Sequence, residues 1–297
     1  MTGVYAFLRA GNGVFGSQGM SASNYMTTTA TAKPGNLIQT IERVTAILDV
    51  FAKSARPLAL GDVAAKVNLP KGTTHRILAS LIYFGFVRQD QESRNYALGF
   101  KLVELGASLL DQIDVRKEAE PFLHELSQQT KETVYLVLLD GTEVVYVEKI
   151  ETEDSSIVLR ASSKVGQRST ANSCAVGKSL LAYLPTGQFN DLLPRMTFTR
   201  KTAKTITDPA ALQTHLHTVR QRGYAIDDEE NETGIRCVAA PILNERGQAI
   251  AALSVSGPTV RLTHERLHGV LRNQVMATAL KISKAMGYRG EFLCAPA

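Results

Sequence analysis

The stretch Gly61-Asp62-Val63-Ala64-Ala65-Lys66-Val67-Asn68-Leu69-Pro70-Lys71-Gly72-Thr73-Thr74-His75-Arg76-Ile77-Leu78-Ala79-Ser80-Leu81-Ile82-Tyr83 decides the fold. A short helix is expected from Asp62 to Val67, with Gly61 as its N-cap and Val63 and Val67 facing inward. Asn68-Leu69 makes a tight turn. Pro70 then takes the first position of a longer helix, where its missing N–H costs nothing. That helix runs from Lys71 to Tyr83, with Ile77, Leu78, Leu81 and Ile82 as its apolar stripe and Gly85 as its C-terminal cap. Two helices joined by so short a turn are a helix-turn-helix.

Upstream, Leu37, Ile41, Val44, Ile47, Leu48 and Phe51 recur at helical spacing, so a helix that buries this face precedes the pair. Downstream, Phe86-Val87-Arg88 and Asn95-Tyr96-Ala97-Leu98 alternate as strands about the polar turn Gln91-Glu92-Ser93-Arg94. A hairpin directly after the third helix is a wing. Lys71, Thr73, Thr74 and Arg76 fall early in the third helix and off the predicted stripe. The N-terminal residues of a recognition helix meet base edges in the major groove of double-stranded DNA. Arginine reads guanine with two hydrogen bonds, and threonine takes a base or a phosphate. Arg88 and Arg94 on the wing would reach phosphates or the minor groove. Each of these side chains alone could be a solvated face; the ordered set of three helices and a wing is far more specific.

Charge agrees. Over residues 36–100, Arg43, Lys53, Arg56, Lys66, Lys71, Arg76, Arg88 and Arg94 face only Glu42, Asp49, Asp62, Asp90 and Glu92. Eight cations against five anions leave about +3 there. The remainder beyond residue 100 is about neutral, so a basic head is joined to a neutral body.

The length of 297 residues predicts two domains, and 44% hydrophobic composition supports a substantial core. Residues 1–36 read as a disordered tail rich in Thr, Ser, Ala and Gly, and 37–100 as the winged head. Residues 101–114 read as a linker helix with Leu102, Leu105, Leu109 and Leu110 on its apolar face, and 115–297 as the larger domain. There, a helix at Val115–Thr130 precedes strands at Thr133–Leu139 and Val144–Ile150, turned by Asp140-Gly141. A strand at Ile157–Ala161, a loop from Val165 to Ser173 and a helix at Ala175–Tyr183 come next. Asp208-Pro209 starts a helix that ends at Gly223. Strands at Ile235–Ala240 and Ala249–Ser256 precede a long helix capped by Thr263 and stopped by Gly287. This order predicts an α+β domain with a mainly antiparallel sheet flanked by helices.

Only three cysteines, Cys174, Cys237 and Cys294, are present, and their spacing matches no zinc pattern or disulfide framework. A reducing cytoplasm is expected, with no cofactor and no metal. No apolar run approaches the roughly 18 residues that a membrane span needs. Asp227, Asp228, Glu229 and Glu230, with Cys237, admit a rival reading as catalytic carboxylates and a nucleophile. A nucleophile needs a positioned base. His75, His124, His215, His217, His264 and His268 all fall on predicted helices, away from the strand that holds Cys237. Cys174 and Cys237 as a redox pair compete with two small buried residues, the commoner outcome.

Leu69-Pro70-Lys71-Gly72-Thr73-Thr74-His75-Arg76-Ile77-Leu78 resembles the recognition helix of the IclR family of bacterial regulators, which more often has Ser at the place of Gly72. The segment from Gly223 through Asp227, Glu230 and Cys237 is similar to the family's C-terminal signature, apart from Leu243. Gly177-Lys178-Ser179-Leu180-Leu181-Ala182 and Ser254-Val255-Ser256-Gly257-Pro258 match further blocks. The resemblance spans nearly all of residues 37–290. Within the family, Glu132-Thr133, Tyr146-Val147-Glu148-Lys149-Ile150 and Ile282-Ser283-Lys284-Ala285-Met286-Gly287-Tyr288 look most like the subgroup controlling sugar-acid catabolism.

The resemblance implies a homodimer or homotetramer on operator DNA, acting as a repressor and answering a small carboxylate effector. Carried over residue by residue, the effector site falls on the backbone amides of Ala175 and Val176 and on Asp227, Cys237, Ser254 and Ser256. Helix N–H groups suit a carboxylate. Serines two apart on a strand share a face. Ala175 and Val176 are larger than the residues that accompany glyoxylate-like effectors, which argues against glyoxylate itself.

Overall fold

A computed structural model describes residues 36–151 and 162–290. The predicted tail, the predicted strand at Ile157–Ala161 and Cys294 lie outside the described residues, apart from the tail's last position.

Helix α1 spans Gln39–Ala52, α2 Leu60–Lys66 and α3 Lys71–Tyr83. Ile47, Phe51, Leu58, Val63, Leu78, Leu81, Val87 and Tyr96 form their shared core. Strands β1, Val87–Gln89, and β2, Tyr96–Leu98, pair antiparallel as the wing. Asn68 takes the turn between α2 and α3 at φ 52°, a left-handed conformation that asparagine tolerates. After α3 the Phe86 amide bonds the Leu81 carbonyl and the Gly85 amide that of Ile82, closing the helix about Gly85 at φ 77°. The wing's turn is tied by Asp90, whose Oδ1 accepts from the Ser93 amide and hydroxyl at 2.8 Å each.

Four expectations for the head are corrected. The N-cap of α2 is Ala59, not Gly61, because the helix starts two residues earlier, at Leu60. Pro70 is the N-cap of α3 rather than its first residue. Leu37 and Ile41 are exposed, because α1 runs past the small core and only Ile47 and Phe51 are buried in it. Ile82 is also exposed, on the outer side of the last turn of α3.

Helix α4, Lys101–Asp111, buries no residue, and α5 follows at Asp114–Thr130. The large domain is built on a six-stranded sheet. Its strands are β3 Thr133–Asp140, β4 Glu143–Ile150, β5 Arg168–Thr170, β6 Ala225–Asp228, β7 Ile235–Leu243 and β8 Ala249–Pro258. The order is β5-β4-β3-β8-β7-β6, and every neighbouring pair is antiparallel. Strand β5 occupies part of what the sequence predicts as a loop. The four-residue β6 has no sequence expectation behind it.

The period of two along each strand divides the interior. Val134, Leu136, Val238, Ala240, Leu253 and Val255 pack on α5 and on α10, Arg272–Ala285. Tyr135, Val137, Ala239 and Ala252 face the other way. There they meet α6, Ala175–Ala182, and α8, Pro209–Arg222. Asp208 caps α8 by accepting from the Ala211 amide at 2.7 Å, and Gly223 ends it at φ 78°. A short α7, Thr186–Leu192, lies between α6 and α8. The expected final helix is broken: α9, His264–Arg266, is capped by Thr263 and separated from α10 by a wide turn at Leu267–Leu271, where Gly269 leaves helical geometry. Leu243 is buried at the end of β7, and its amide donates to Ser283 Oγ at 2.9 Å.

Candidate functional site

The first candidate surface lies on α3 and the wing. Lys71 and Arg76 are exposed, and Thr73 is half-buried. Thr73 and Arg76 line a groove between α1 and α3 together with Thr40, Arg43, Val44, Ile77 and Ser80. Thr74 is the exception. It is fully buried, and its hydroxyl donates to the Pro70 carbonyl at 3.1 Å. A side chain so placed has no surface to offer DNA, so Thr74 belongs to the core of the head. Arg43 and His75 are the residues sequence reasoning missed. Arg43 reaches this groove from α1, and His75, one turn after Lys71, is exposed on α3.

Arg88 and Arg94 are both exposed. The Arg88 guanidinium stands 5.5 Å from the centre of the Phe100 ring, beside the start of α4. Arg94 sits at φ 58° in the wing's turn, with its carbonyl held by Gln89 Nε2 at 2.9 Å. A Cβ at Gly99 would meet the Gly85 carbonyl at 2.1 Å, so the wing's exit and the end of α3 touch through glycine alone.

The second candidate site is a small cavity, of about 20 Å3, in the large domain. Its walls include all six residues named from the sequence: Ala175, Val176, Asp227, Cys237, Ser254 and Ser256. The sheet register explains why. Asp227 on β6 pairs with Cys237 on β7, which pairs with Ser256 on β8, so three polar side chains form one cross-strand row. Ser254 stands two residues along β8, on the same face, with its hydroxyl 3.5 Å from that of Ser256. The start of α6 closes the cavity over this row. A Cβ at Gly177 would meet the Ala171 carbonyl at 2.2 Å, so glycine permits α6 to press on the turn Ala171–Ser173.

Asp227 is 2% exposed. Its Oδ1 accepts from the Glu230 amide at 2.6 Å and the Asn231 amide at 3.4 Å. Burial raises its pKa from 3.8 to about 7; the Lys178 ammonium opposes that rise and the Glu230 carboxylate adds to it. The acid is thus poised between donor and acceptor near neutrality. The thiols go the other way from reactivity: burial pushes Cys174 up to about 12 and Cys237 well above its usual value.

Several participants were not anticipated. Tyr135 and Tyr146 meet edge to face at 5.1 Å and line the cavity with Asn231, Glu232 and Ser163. Lys178 is fully buried and ion-paired with Glu230. The signal for Lys178 was present: a single charge inside a helix whose other residues are small or apolar, so that no face is left for water. None of the six histidines lines the cavity, so neither thiol has an imidazole base there.

A winged helix-turn-helix with exposed basic groups, joined to a larger domain with a small polar cavity, defines a DNA-binding transcriptional regulator. The chain belongs to the IclR family: the model of the IclR helix-turn-helix domain matches residues 40–91, and that of the bacterial transcriptional regulator IclR C-terminal domain matches residues 107–284. Among characterised relatives, it is 40% identical over 252 residues to the HTH-type transcriptional regulator XynR of Escherichia coli, covering 85% of this chain and 98% of XynR. It is 37% identical over 256 residues to KdgR of the same organism, covering 86% of this chain and 95% of KdgR. The crystal structure of the Thermotoga maritima IclR superposes with a TM-score of 0.70 at 34% identity, covering 84% of this chain and 99% of that one. These relatives are regulators, and this chain is a regulator rather than an enzyme. Among the described residues no helix is long and apolar enough to cross a membrane.

Proposed function

We propose that the protein is a cytoplasmic repressor of a carbon-catabolism operon, which binds operator DNA as a homodimer or homotetramer and responds to a small hydroxylated or keto carboxylate such as an aldonate or 2-keto-3-deoxy acid. The observation that carries this reading is the row Asp227, Cys237 and Ser256, with Ser254 beside it, beneath the start of α6. Amides at the start of α6 favour the ligand's carboxylate. The serine hydroxyls suit its oxygens, and Asp227 suits a ligand hydroxyl. A plain aliphatic or aromatic acid would leave that buried carboxyl facing carbon, which is costly. On the head, Lys71, Thr73, Arg76, Arg88 and Arg94 are the proposed DNA contacts, together with Arg43 and His75; Thr74 is buried and makes none.

Assembly follows from apolar surface. Leu105 and Leu109 on α4 are exposed in the single chain, as are Leu37, Ile38 and Ile41 at the start of α1. Such helix faces favour burial against a second copy. Two paired heads fit a palindromic operator with half-sites one helical turn apart, or a multiple of that. A monomer by light scattering at micromolar concentration would remove this part of the proposal.

The domain bounds proposed are 37–100 for the head, 101–114 for the linker and 115–297 for the effector domain. A ligand shifts the regulator only if it binds one arrangement of the heads better than another. Titration calorimetry with gluconate, 2-keto-3-deoxygluconate and benzoate tests the pocket. We expect the sugar acids to bind and to release operator DNA, and Asp227→Ala to lose both responses while still binding the operator. Binding of benzoate alone, or normal sugar-acid binding by Asp227→Ala, would overturn the assignment.

A further inference from the structure

We propose that the effector pocket continues into a second, cationic subsite built on Lys201, and that the effector is therefore anionic at both ends. This rests on the sugar-acid reading above and narrows it to dianions. The Lys201 ammonium does not rest on a carboxylate among the described residues. It donates to two neutral oxygens, Ser169 Oγ at 2.8 Å and Asn231 Oδ1 at 2.6 Å.

Those acceptors are already occupied. Asn231 Oδ1 also accepts from Ser169 Oγ at 3.0 Å and from Ser173 Oγ at 3.3 Å. Lys201 and Ser169 thus fill the two lone pairs of this oxygen, and Ser173 shares its one proton between it and the Thr170 carbonyl. Ser173 Oγ shares its position further with the Thr170 hydroxyl at 2.8 Å and the Thr170 carbonyl at 3.1 Å. The Lys201 ammonium is the one charge in this cluster, and both of its acceptors are neutral. The group that complements it is rich in acceptors and negatively charged.

The cluster is joined to the cavity through Asn231. Its side chain is the shared acceptor, it lines the cavity, and its backbone amide donates to Asp227 Oδ1. Lys201 itself is exposed, and it meets this wall through its bond to Asn231. Glu232, on the same wall, is engaged by the Ser162 hydroxyl at 3.3 Å rather than by Lys201. One ligand end thus lies on the row Asp227, Cys237 and Ser256 under α6, and the other toward Lys201. A six-carbon sugar acid with a second carboxylate or a phosphate on its last carbon has that form; the two share the chemistry of a terminal anion.

Calorimetry on the full chain decides, with gluconate as the singly charged reference, glucarate as the dicarboxylate and 6-phosphogluconate as the phosphate form. We expect one of the two dianions to bind roughly tenfold or more tightly than gluconate, the size of one charge-assisted contact. Which of them does so identifies the terminal group. In Lys201→Ala, checked for an unchanged melting temperature, that preference should fall to near unity, and in Lys201→Arg it should largely return. The preference should also shrink as salt rises, since the contact is near the surface. Equal binding of gluconate and both dianions, or a preference that survives Lys201→Ala, would overturn the subsite while leaving the sugar-acid reading intact. Failure of all three acids to bind would remove both.

Discussion

The two halves of the molecule treat charge in opposite ways. The head has a small core of eight buried apolar residues and leaves its cations on the surface. The large domain has an apolar layer on each face of its sheet and takes charges inside, Lys178, Glu132, Asp227 and Glu230 among them. An exposed cation is little stabilised by its own fold, so it is free to meet phosphate. A buried charge is costly unless partnered, so every change at its partners is felt by the fold. The first arrangement suits a polyanion approached from solvent, the second a small ligand that must be sensed.

The buried charges give the largest expected effect. Glu132 is 2% exposed and held by Arg261 Nε and Nη2 at 2.9 and 2.8 Å and by Arg266 at 3.1 Å. Glu132→Ala should destabilise the large domain by ~3–5 kcal/mol. Chemical denaturation should show that loss in the signal of the large domain, and an unchanged midpoint would contradict the contrast drawn between the halves.

Asp227 carries a comparable term with a definite sign. Its folded pKa is raised, from 3.8 to about 7, so folding favours the protonated form. The associated stability is present in full below the unfolded value and lost as pH rises through about 7. The whole span is worth up to ~4 kcal/mol. Melting temperatures of the wild type should therefore fall between about pH 4 and pH 7, and those of Asp227→Asn should be flatter there. The same slope in both proteins would mean that another group titrates.

In the head the effects are smaller and read out on DNA. Arg76→Ala should weaken specific operator binding by ~1–3 kcal/mol if the arginine reads a base with two hydrogen bonds, with little change in salt slope. If it only neutralises a phosphate, all sequences should weaken alike and the slope should fall by about one. Unchanged affinity in a gel-shift titration would remove Arg76 from the interface. Thr74→Ser, by contrast, should cost only about one buried methyl group, ~1 kcal/mol of head stability, and leave affinity for folded protein unaltered. A selective loss of operator affinity in Thr74→Ser would restore Thr74 as a contact.

Thr74 also shows where the sequence misleads. It stands four and seven residues before Leu78 and Leu81, the spacing of one helical face, but its hydroxyl invites a polar reading. The backbone of α3 satisfies that hydroxyl internally, which a residue type cannot reveal. Long periodic segments such as α3, α5 and α8, and turns marked by Asp140-Gly141 or Asp208-Pro209, were legible because local chemistry alone fixes them. Strands β5 and β6 were not. Each has three or four residues, too few to show a period of two, and β5 pairs with β4 across more than 20 residues of chain. The cavity's serines, cysteine and aspartate were reachable through the family's motifs. Asn231 and the Tyr135–Tyr146 pair were not, because sequence separation of up to 96 residues (Tyr135 to Asn231) hides their proximity.

Gly177 sets a limit on how this regulator can be re-engineered as a biosensor. Any side chain there would have to displace the backbone of Ala171, with atoms at 2.2–2.7 Å from a new Cβ, so the seat of α6 is fixed against mutation. Libraries seeking a new inducer should hold position 177 constant and diversify Ala175, Val176 and the strand residues opposite. The helix then stays a rigid roof while the walls below it are redrawn.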